Sequence, residues 1–190
     1  GLTYSGKKLL QYSIIFLGFS MSIGKVSATG LSSLKISILT ILIAFLAAYA
    51  AGKFFKMRRV LTILIGFGTA ICGGSAIAAA SPILEAEEEE IALSISTIFF
   101  FNILAVFIFP FLGHLMQMSD AYFGTWAGTA INDTSSVVAA GYTYSQAAGD
   151  LATIVKLSRA LMIVPACLIF AGYRYVRDKR SAQKVDLKKI

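Results

Sequence analysis

Six long stretches of the sequence are almost free of charged residues, and this segregation limits the possible folds more than any other feature. Only 14% of the residues are charged and 57% are hydrophobic, with a mean hydropathy of +0.75. An unpaired charge at the centre of a bilayer costs at least about 2.5–3.5 kcal/mol. The pattern is therefore typical of membrane-spanning helices. A soluble helical core is disfavoured, because six such stretches leave no polar exterior.

A helix needs about 20 residues to cross the hydrocarbon core. The sequence accordingly predicts an all-α, polytopic transmembrane bundle over residues 1–173 and a basic tail over residues 174–190. The predicted segments are 9–23, 34–52, 60–84, 91–112, 121–141 and 151–173. Lys and Arg concentrate in the 53–59 loop and in the tail, so both are expected on the cytoplasmic side. This topology holds equally whether 60–84 and 121–141 span the bilayer or re-enter it.

The net charge of +7 does not indicate a nucleic-acid partner, because the basic residues cluster beside apolar segments as juxtamembrane anchors do. Cys72 and Cys167 lie in apolar segments without metal-ligand partners, so neither a disulfide nor a zinc site is expected. No nucleophile–base pair, phosphate-binding loop or metal cluster is visible, and we do not expect an enzyme. The chain begins with Gly1, which suggests a piece of a longer protein.

Two glycine-containing segments echo each other at a spacing of 60 residues. Gly-Thr-Ala-Ile occurs at 68–71 and again at 128–131, and the serines and alanine pairs that follow also match. One interpretation is that small residues recur wherever membrane helices pack closely. The other is that both segments are discontinuous helices that meet near the midplane and direct free backbone groups at substrate or ions. In that case Ser75 and Asp133 would lie close together.

The most polar run inside any apolar segment is 132–136. A carboxylate within a membrane segment, here Asp133, is a functional-site hypothesis by default. If the stretch is helical, Thr129, Asp133 and Ser136 share one face. Together with Asn132 they would offer oxygen ligands to Na⁺, or Asp133 would carry a proton.

Lys156 and Arg159 lie on one face of the last apolar segment. Lys156 could snorkel toward an interface, whereas Arg159 is deeper and its planar fork of donors suits an oxyanion. The alternative to substrate contact is a structural salt bridge from either residue to Asp133.

The run Ile-Cys-Gly-Gly-Ser-Ala-Ile-Ala-Ala at 71–79, followed by Pro82 and the acidic stretch 85–88, resembles the signature of the YeiH-type sulphate exporter family. Segments 124–128 and 155–159 also look like that family, and the resemblance covers most of the chain. It implies a bacterial inner-membrane protein related to cation–proton antiporters and bile-acid symporters, with inverted repeats and crossed broken helices.

The chain departs from this family at two points. Many members carry His-Glu where this chain has Asn132 and Asp133. The Asn-Asp pair instead resembles the cation site of some cation–proton antiporters, which favours coupling to a cation or a proton. Family members are also longer, so helices are expected to be missing at both ends.

These observations predict a secondary transporter of a small anion, sulphate or a related sulphur oxyanion or organic anion, coupled to H⁺ or Na⁺. Apart from that ion no cofactor is expected. Membrane lipid, a second copy of the chain or missing helices are the expected partners. The alternatives are a cation–proton antiporter-like exchanger and a non-transporting scaffold or sensor. The predicted substrate- or ion-binding residues are Thr69, Gly73, Gly74, Ser75, Thr129, Asn132, Asp133, Ser136 and Arg159, with Na⁺ at Asp133, Asn132 and Thr129.

Overall fold

The computed structural model describes the backbone of residues 23–186 and, within it, the side chains of 36–177 and Lys179. All secondary structure in this range is helical, which confirms the predicted all-α class. The helices are α1 (Ile23–Phe54), α2 (Arg59–Ala70), α3 (Gly74–Leu84), α4 (Glu88–Leu115), α5 (Asp120–Ala130), α6 (Thr134–Tyr144), α7 (Gln146–Ala160) and α8 (Ile163–Asp186).

Three stretches of the described chain are long and apolar enough to cross a membrane. They are Ile36–Phe54, Glu88–Leu115 and Gln146–Arg177. They overlap three of the predicted segments, although the last one contains a turn at 161–162 between α7 and α8 that the sequence did not indicate. The predicted segment 9–23 lies outside the described residues except for Ile23, the first residue of α1.

Both segments predicted to be discontinuous are interrupted. A turn at 71–73 separates α2 from α3, and extended residues at 131–133 separate α5 from α6. The interruptions are therefore 60 residues apart, the spacing of the sequence echo. Each half-helix has only 11 or 12 residues, or at most about 18 Å. None can cross about 30 Å of hydrocarbon alone.

The chain divides into two compact units, each with one interruption. Within the described chain, the α5 unit comprises 23–40 and 101–159, and the α2 unit comprises 41–100 and 160–186. The core of the α5 unit is built from the buried residues Phe123, Ala127, Ile131, Val137, Ala140, Ala148 and Ala152. The core of the α2 unit is built from Leu64, Phe67, Ala70, Ile71, Cys72, Ala76, Ile77, Ala80 and Ile98.

Two glycines on α5 allow α7 to approach its backbone. A Cβ atom at Gly124 would lie 2.9 Å from the carbonyl oxygen of Ala148, and one at Gly128 would lie 2.7 Å from that of Ala152. Only glycine fits such contacts, as in the small-residue packing motifs of membrane helices. Because the matched positions increase together, α5 and α7 run parallel. One turn beyond Ala152, Lys156 is thus carried to the end of α5.

Helix ends in the α5 unit are capped by side chains. The Ser119 hydroxyl accepts from the amide of Tyr122 at the start of α5, and the Ser145 hydroxyl accepts from the amide of Ala148 at 3.0 Å at the start of α7. Ser145 also donates to Asp120 at 2.6 Å. Such caps satisfy the amides that open a helix, and here they join the starts of α5 and α7.

The long helices expose many apolar side chains. Side chains more than half exposed include Leu39, Leu42, Leu46, Phe100, Phe101, Ile103, Phe107 and Phe111. Such a surface would be an aggregation liability in water, whereas a lipid environment accommodates it. The described helices therefore have the surface of a membrane protein.

Candidate functional site

The interruption between α5 and α6, here called the polar break, is extended rather than turned. Ile131 has φ −79° and ψ 130°, and Asp133 has φ −88° and ψ 137°. A stretch like this leaves the last carbonyls of α5 and the first amides of α6 without helical partners. Inside a membrane these groups must find protein partners, and the structure supplies them from side chains.

The amide side of the polar break is held by Asn102 of α4. Its Oδ1 atom accepts from the backbone amides of Asn132 at 3.0 Å and Asp133 at 3.2 Å. Since an amide N–H can only donate, these contacts assign the carbonyl oxygen of Asn102 to the two amides and leave its NH₂ group as a separate donor next to them. The side chain is 2% exposed.

The NH₂ group of Asn102 has no acceptor among the described residues, a state shared only by the hydroxyl of Ser37 among their buried polar side-chain atoms. Buried polar groups are nearly always hydrogen-bonded. A donor of this kind beside a helix break is suited to an oxygen of water or of a ligand.

Asp133 caps the start of α6. Its Oδ2 atom accepts from the Ser136 amide at 3.1 Å and from the Ser136 hydroxyl at 3.3 Å. Of the three residues predicted to share one helical face, Asp133 and Ser136 are therefore in contact. Thr129 does not share their face, because α5 ends at Ala130, and its hydroxyl donates to carbonyls of its own helix at Thr125 and Trp126.

The carbonyl side of the polar break is held by two cations. Lys156 Nζ donates to the carbonyl of Ile131 at 2.9 Å, and Arg159 Nη1 donates to the carbonyl of Thr129 and to the Thr40 hydroxyl at 3.2 Å. The end of a helix favours positive charge through its dipole and its orphan carbonyls.

The prediction that Lys156 snorkels to an interface is wrong. Lys156 is 0% exposed and Arg159 is 2% exposed. The physical reason is the close packing of α7 on α5, which brings Lys156 against the last carbonyls of α5. Both cations therefore belong to the polar break.

The alternative of a structural salt bridge from Asp133 to these cations is not formed in the described part of the chain. Its ion pairs are Arg58–Glu87, Arg58–Glu90 and Arg174–Glu85. Asp133 is half-buried and engaged with Ser136. The carboxylate and the two cations thus hold opposite ends of the same break.

The interruption between α2 and α3, here called the glycine break, contains a tight turn with two backbone hydrogen bonds. The Gly73 amide donates to the Gly68 carbonyl at 2.9 Å, and the Ile71 amide donates to the Phe67 carbonyl at 3.1 Å. Gly73 has φ 69° and ψ −130°, a conformation that side chains rarely allow. The turn therefore requires glycine at this position.

The residues predicted to bind at the glycine break differ in exposure. Gly73 is buried, Thr69 and Gly74 are half-buried, and Ser75 is exposed. Their binding role stays a prediction, and so does the close approach of Ser75 to Asp133. The binding of Na⁺ at Asp133, Asn132 and Thr129 also stays a prediction. Within the described residues, no three or more His, Cys, Asp or Glu side chains form a cluster that could hold a metal ion.

Sequence reasoning missed Asn102. A signal was available, because Asn102 is an amide residue in the strongly apolar predicted segment 91–112 and directly follows three phenylalanines. Buried polar residues in membrane segments are functional candidates by default. Hydropathy alone did not show which backbone groups it would meet.

The sequence model of the family described as Conserved hypothetical protein 698 matches residues 1–190. The chain belongs to this family. It is 48% identical over its whole length to a protein named UPF0324 membrane protein of Streptococcus pneumoniae, covering 57% of it. It is 49% identical to a protein of that name from Clostridium tetani, with 94% of this chain and 51% of the relative covered.

The chain spans about half the length of these curated relatives. No solved structure matches it. The relatives and the three long apolar helices make this chain an integral membrane protein of bacteria.

Proposed function

We propose that this protein is part of a secondary transporter of a small anion, which binds at the polar break. The observation that carries the proposal is the buried NH₂ group of Asn102, a donor without an acceptor among the described residues that lies beside two broken-helix amides. Interrupted helices in transporters serve as substrate sites for this reason.

The surroundings of Asn102 favour an anion as the ligand. Lys156 and Arg159 direct their charged heads at the carbonyls of the break, and the start of α6 adds the positive end of a helix dipole. An oxyanion would accept from the Asn102 amide and be attracted by these cations. By the resemblance of the sequence, sulphate and related sulphur oxyanions are the first candidates.

Asp133 is the proposed coupling group. Deprotonated, it opposes an anion at the break by like charge, whereas protonation or a bound cation removes that repulsion. Anion binding would then be linked to H⁺ or Na⁺. The same carboxylate also supports the rival function, a cation–proton exchanger, in which the cation itself is the substrate.

The test is binding and flux with the purified protein. Sulphate, sulphite, taurine and carboxylates would be screened by thermal shift with and without Na⁺, and those that bind would be assayed for uptake into proteoliposomes. We expect at least one oxyanion to bind and to be taken up. Cation flux without any anion binding would favour the rival exchanger, and ligand binding without flux would favour a sensor.

Asn102→Asp is the sharpest variant. It keeps an oxygen for the amides of Asn132 and Asp133 but replaces the NH₂ donor with a negative charge. Anion binding should fall at least about tenfold, as expected for a lost hydrogen bond to a charged ligand. Gln117→Glu is the matched control, because it also replaces an amide with an acid but at an exposed position of the same unit. An equal loss in both variants would contradict the site.

A further inference from the structure

A second feature, separate from the polar break, lies wholly within the α2 unit. A groove of about 960 Å³ runs between α1, α2 and α8. Its floor is apolar and includes Leu42, Phe45, Ile63 and Phe170. Phe45 stacks on Phe170 at 5.9 Å between ring centroids, so the floor is firmly packed.

One end of this groove is basic. It is lined by Lys53 in the last turn of α1, Lys56 in the connection between α1 and α2, and Arg59 at the start of α2. The lining contains no acidic residue within the described chain. The nearby Glu87 and Glu90 pair with Arg58, which does not line the groove.

We propose that this groove binds one anionic phospholipid of the surrounding membrane. The acyl chain would lie along the apolar floor and the phosphate would contact Lys53, Lys56 and Arg59. Charge complementarity selects this occupant, because basic pockets between membrane helices attract anionic head groups. The positive-inside rule places the 53–59 loop on the cytoplasmic side, the leaflet whose surface carries anionic lipid.

The apolar floor alone would not distinguish one lipid from another, since lipid tails are as apolar as the side chains they contact. Selectivity must therefore come from the head group. Each basic residue near a membrane surface contributes enough to change binding about fivefold. Removing all three charges should weaken binding of an anionic lipid about a hundredfold.

The test is native mass spectrometry of the purified protein in detergent, titrated with phosphatidylglycerol and with phosphatidylcholine of the same acyl chains. One phosphatidylglycerol should bind in preference to phosphatidylcholine. The triple variant Lys53→Gln, Lys56→Gln, Arg59→Gln should lose this preference. Arg58→Gln, a change of the same charge in the same loop, should retain it because Arg58 lies outside the groove.

A second pair of variants tests the floor without changing charge. Ala48 lines the groove, whereas the adjacent Ala47 does not. Ala48→Phe should weaken phosphatidylglycerol binding at least about fivefold, and Ala47→Phe should leave it unchanged. Equal binding of the two lipids, equal effects of the matched variants, or a lipid excluded by a second copy of the chain would each overturn the proposal.

Discussion

The two breaks occupy matching positions in the sequence echo, but they differ in backbone conformation and in the hydrogen bonds described for them. At the glycine break the backbone turns on Gly73 and bonds to itself, among buried apolar residues such as Ile71. At the polar break the backbone is extended, and Asn102, Lys156 and Arg159 complete its hydrogen bonds. The conformation of the glycine break is set by its backbone, whereas the side chains at the polar break offer charged and amide groups that a ligand can contact.

The largest expected effect tests whether the cations of the polar break act in transport. Lys156→Met and Arg159→Met should each reduce anion flux up to about a hundredfold, because each removes charged hydrogen bonds worth about 1.5–3 kcal/mol. The measurement is uptake into proteoliposomes.

Arg174→Met is the matched control for these variants. Arg174 also donates to the end of a half-helix, at the Ile83 carbonyl of α3, and pairs with Glu85. It lies away from both breaks in sequence, so flux should change less than about threefold. Similar losses in all three variants would mean that capping half-helices matters only for stability.

A smaller effect is expected at the glycine break. Gly73→Ala should lower the free energy of unfolding by about 1–3 kcal/mol, because it forces a side chain into a strained conformation. Gly74→Ala should change it by less than about 0.5 kcal/mol, since its Cβ would meet only Phe99 at 3.8 Å. Denaturant unfolding in detergent measures both. Weaker anion binding by the folded Gly73→Ala protein would show that the glycine break also contacts substrate.

Asp133→Asn should alter stability by only a few tenths of a kcal/mol, because asparagine caps helices as well as aspartate does. Its expected consequence is a loss of the pH or Na⁺ dependence of flux. Asp120→Asn, which changes an exposed carboxylate in the first turn of α5, should keep that dependence. A folded Asp133→Asn protein with unchanged pH and Na⁺ profiles would leave Asp133 as a helix cap only.

The smallest expected effect is the loss of the Arg58–Glu87 ion pair at low pH, and it serves as a reference for the pH dependence of flux. Arg58 donates to Glu87 at 2.8 and 2.9 Å, and this hydrogen bond with the Arg58 charge holds the pKa of Glu87 below its usual value. A lowered carboxyl pKa stabilises the fold above the unfolded pKa of about 4.3, and this contribution disappears as pH falls through the folded value.

Thermal unfolding between pH 6 and 3 should therefore show a small destabilisation that Arg58→Gln removes and that high salt reduces. If the destabilisation at low pH is the same in Arg58→Gln, it arises from carboxylates other than Glu87. Flux changes that survive in Arg58→Gln can then be assigned to the polar break.

Much of the fold was accessible from the sequence because the bilayer imposes simple rules. Long uncharged stretches predict helices, and the Gly-Gly and Asn-Asp positions marked both interruptions. The turn between α7 and α8 was missed because it consists of Leu161 and Met162, and neither is a glycine, a proline or a polar residue that would predict a turn. The structure places Asp133, Ser136 and Arg159 at the polar break, and their binding role stays a prediction, while Asn102 and Thr40 were not named at all.

The sequence by itself determined the class of protein, the membrane setting and the positions of both breaks, since these depend on local composition and spacing. Only the tertiary structure decided which side chains complete the polar break. Asn102 is 30 residues from its partner Asn132, and Thr40 is 119 residues from Arg159. Hydropathy records how apolar a helix is but not which of its faces meets another helix. Packing of the small residues of α5 against α7 brought Lys156 and Arg159 to the break.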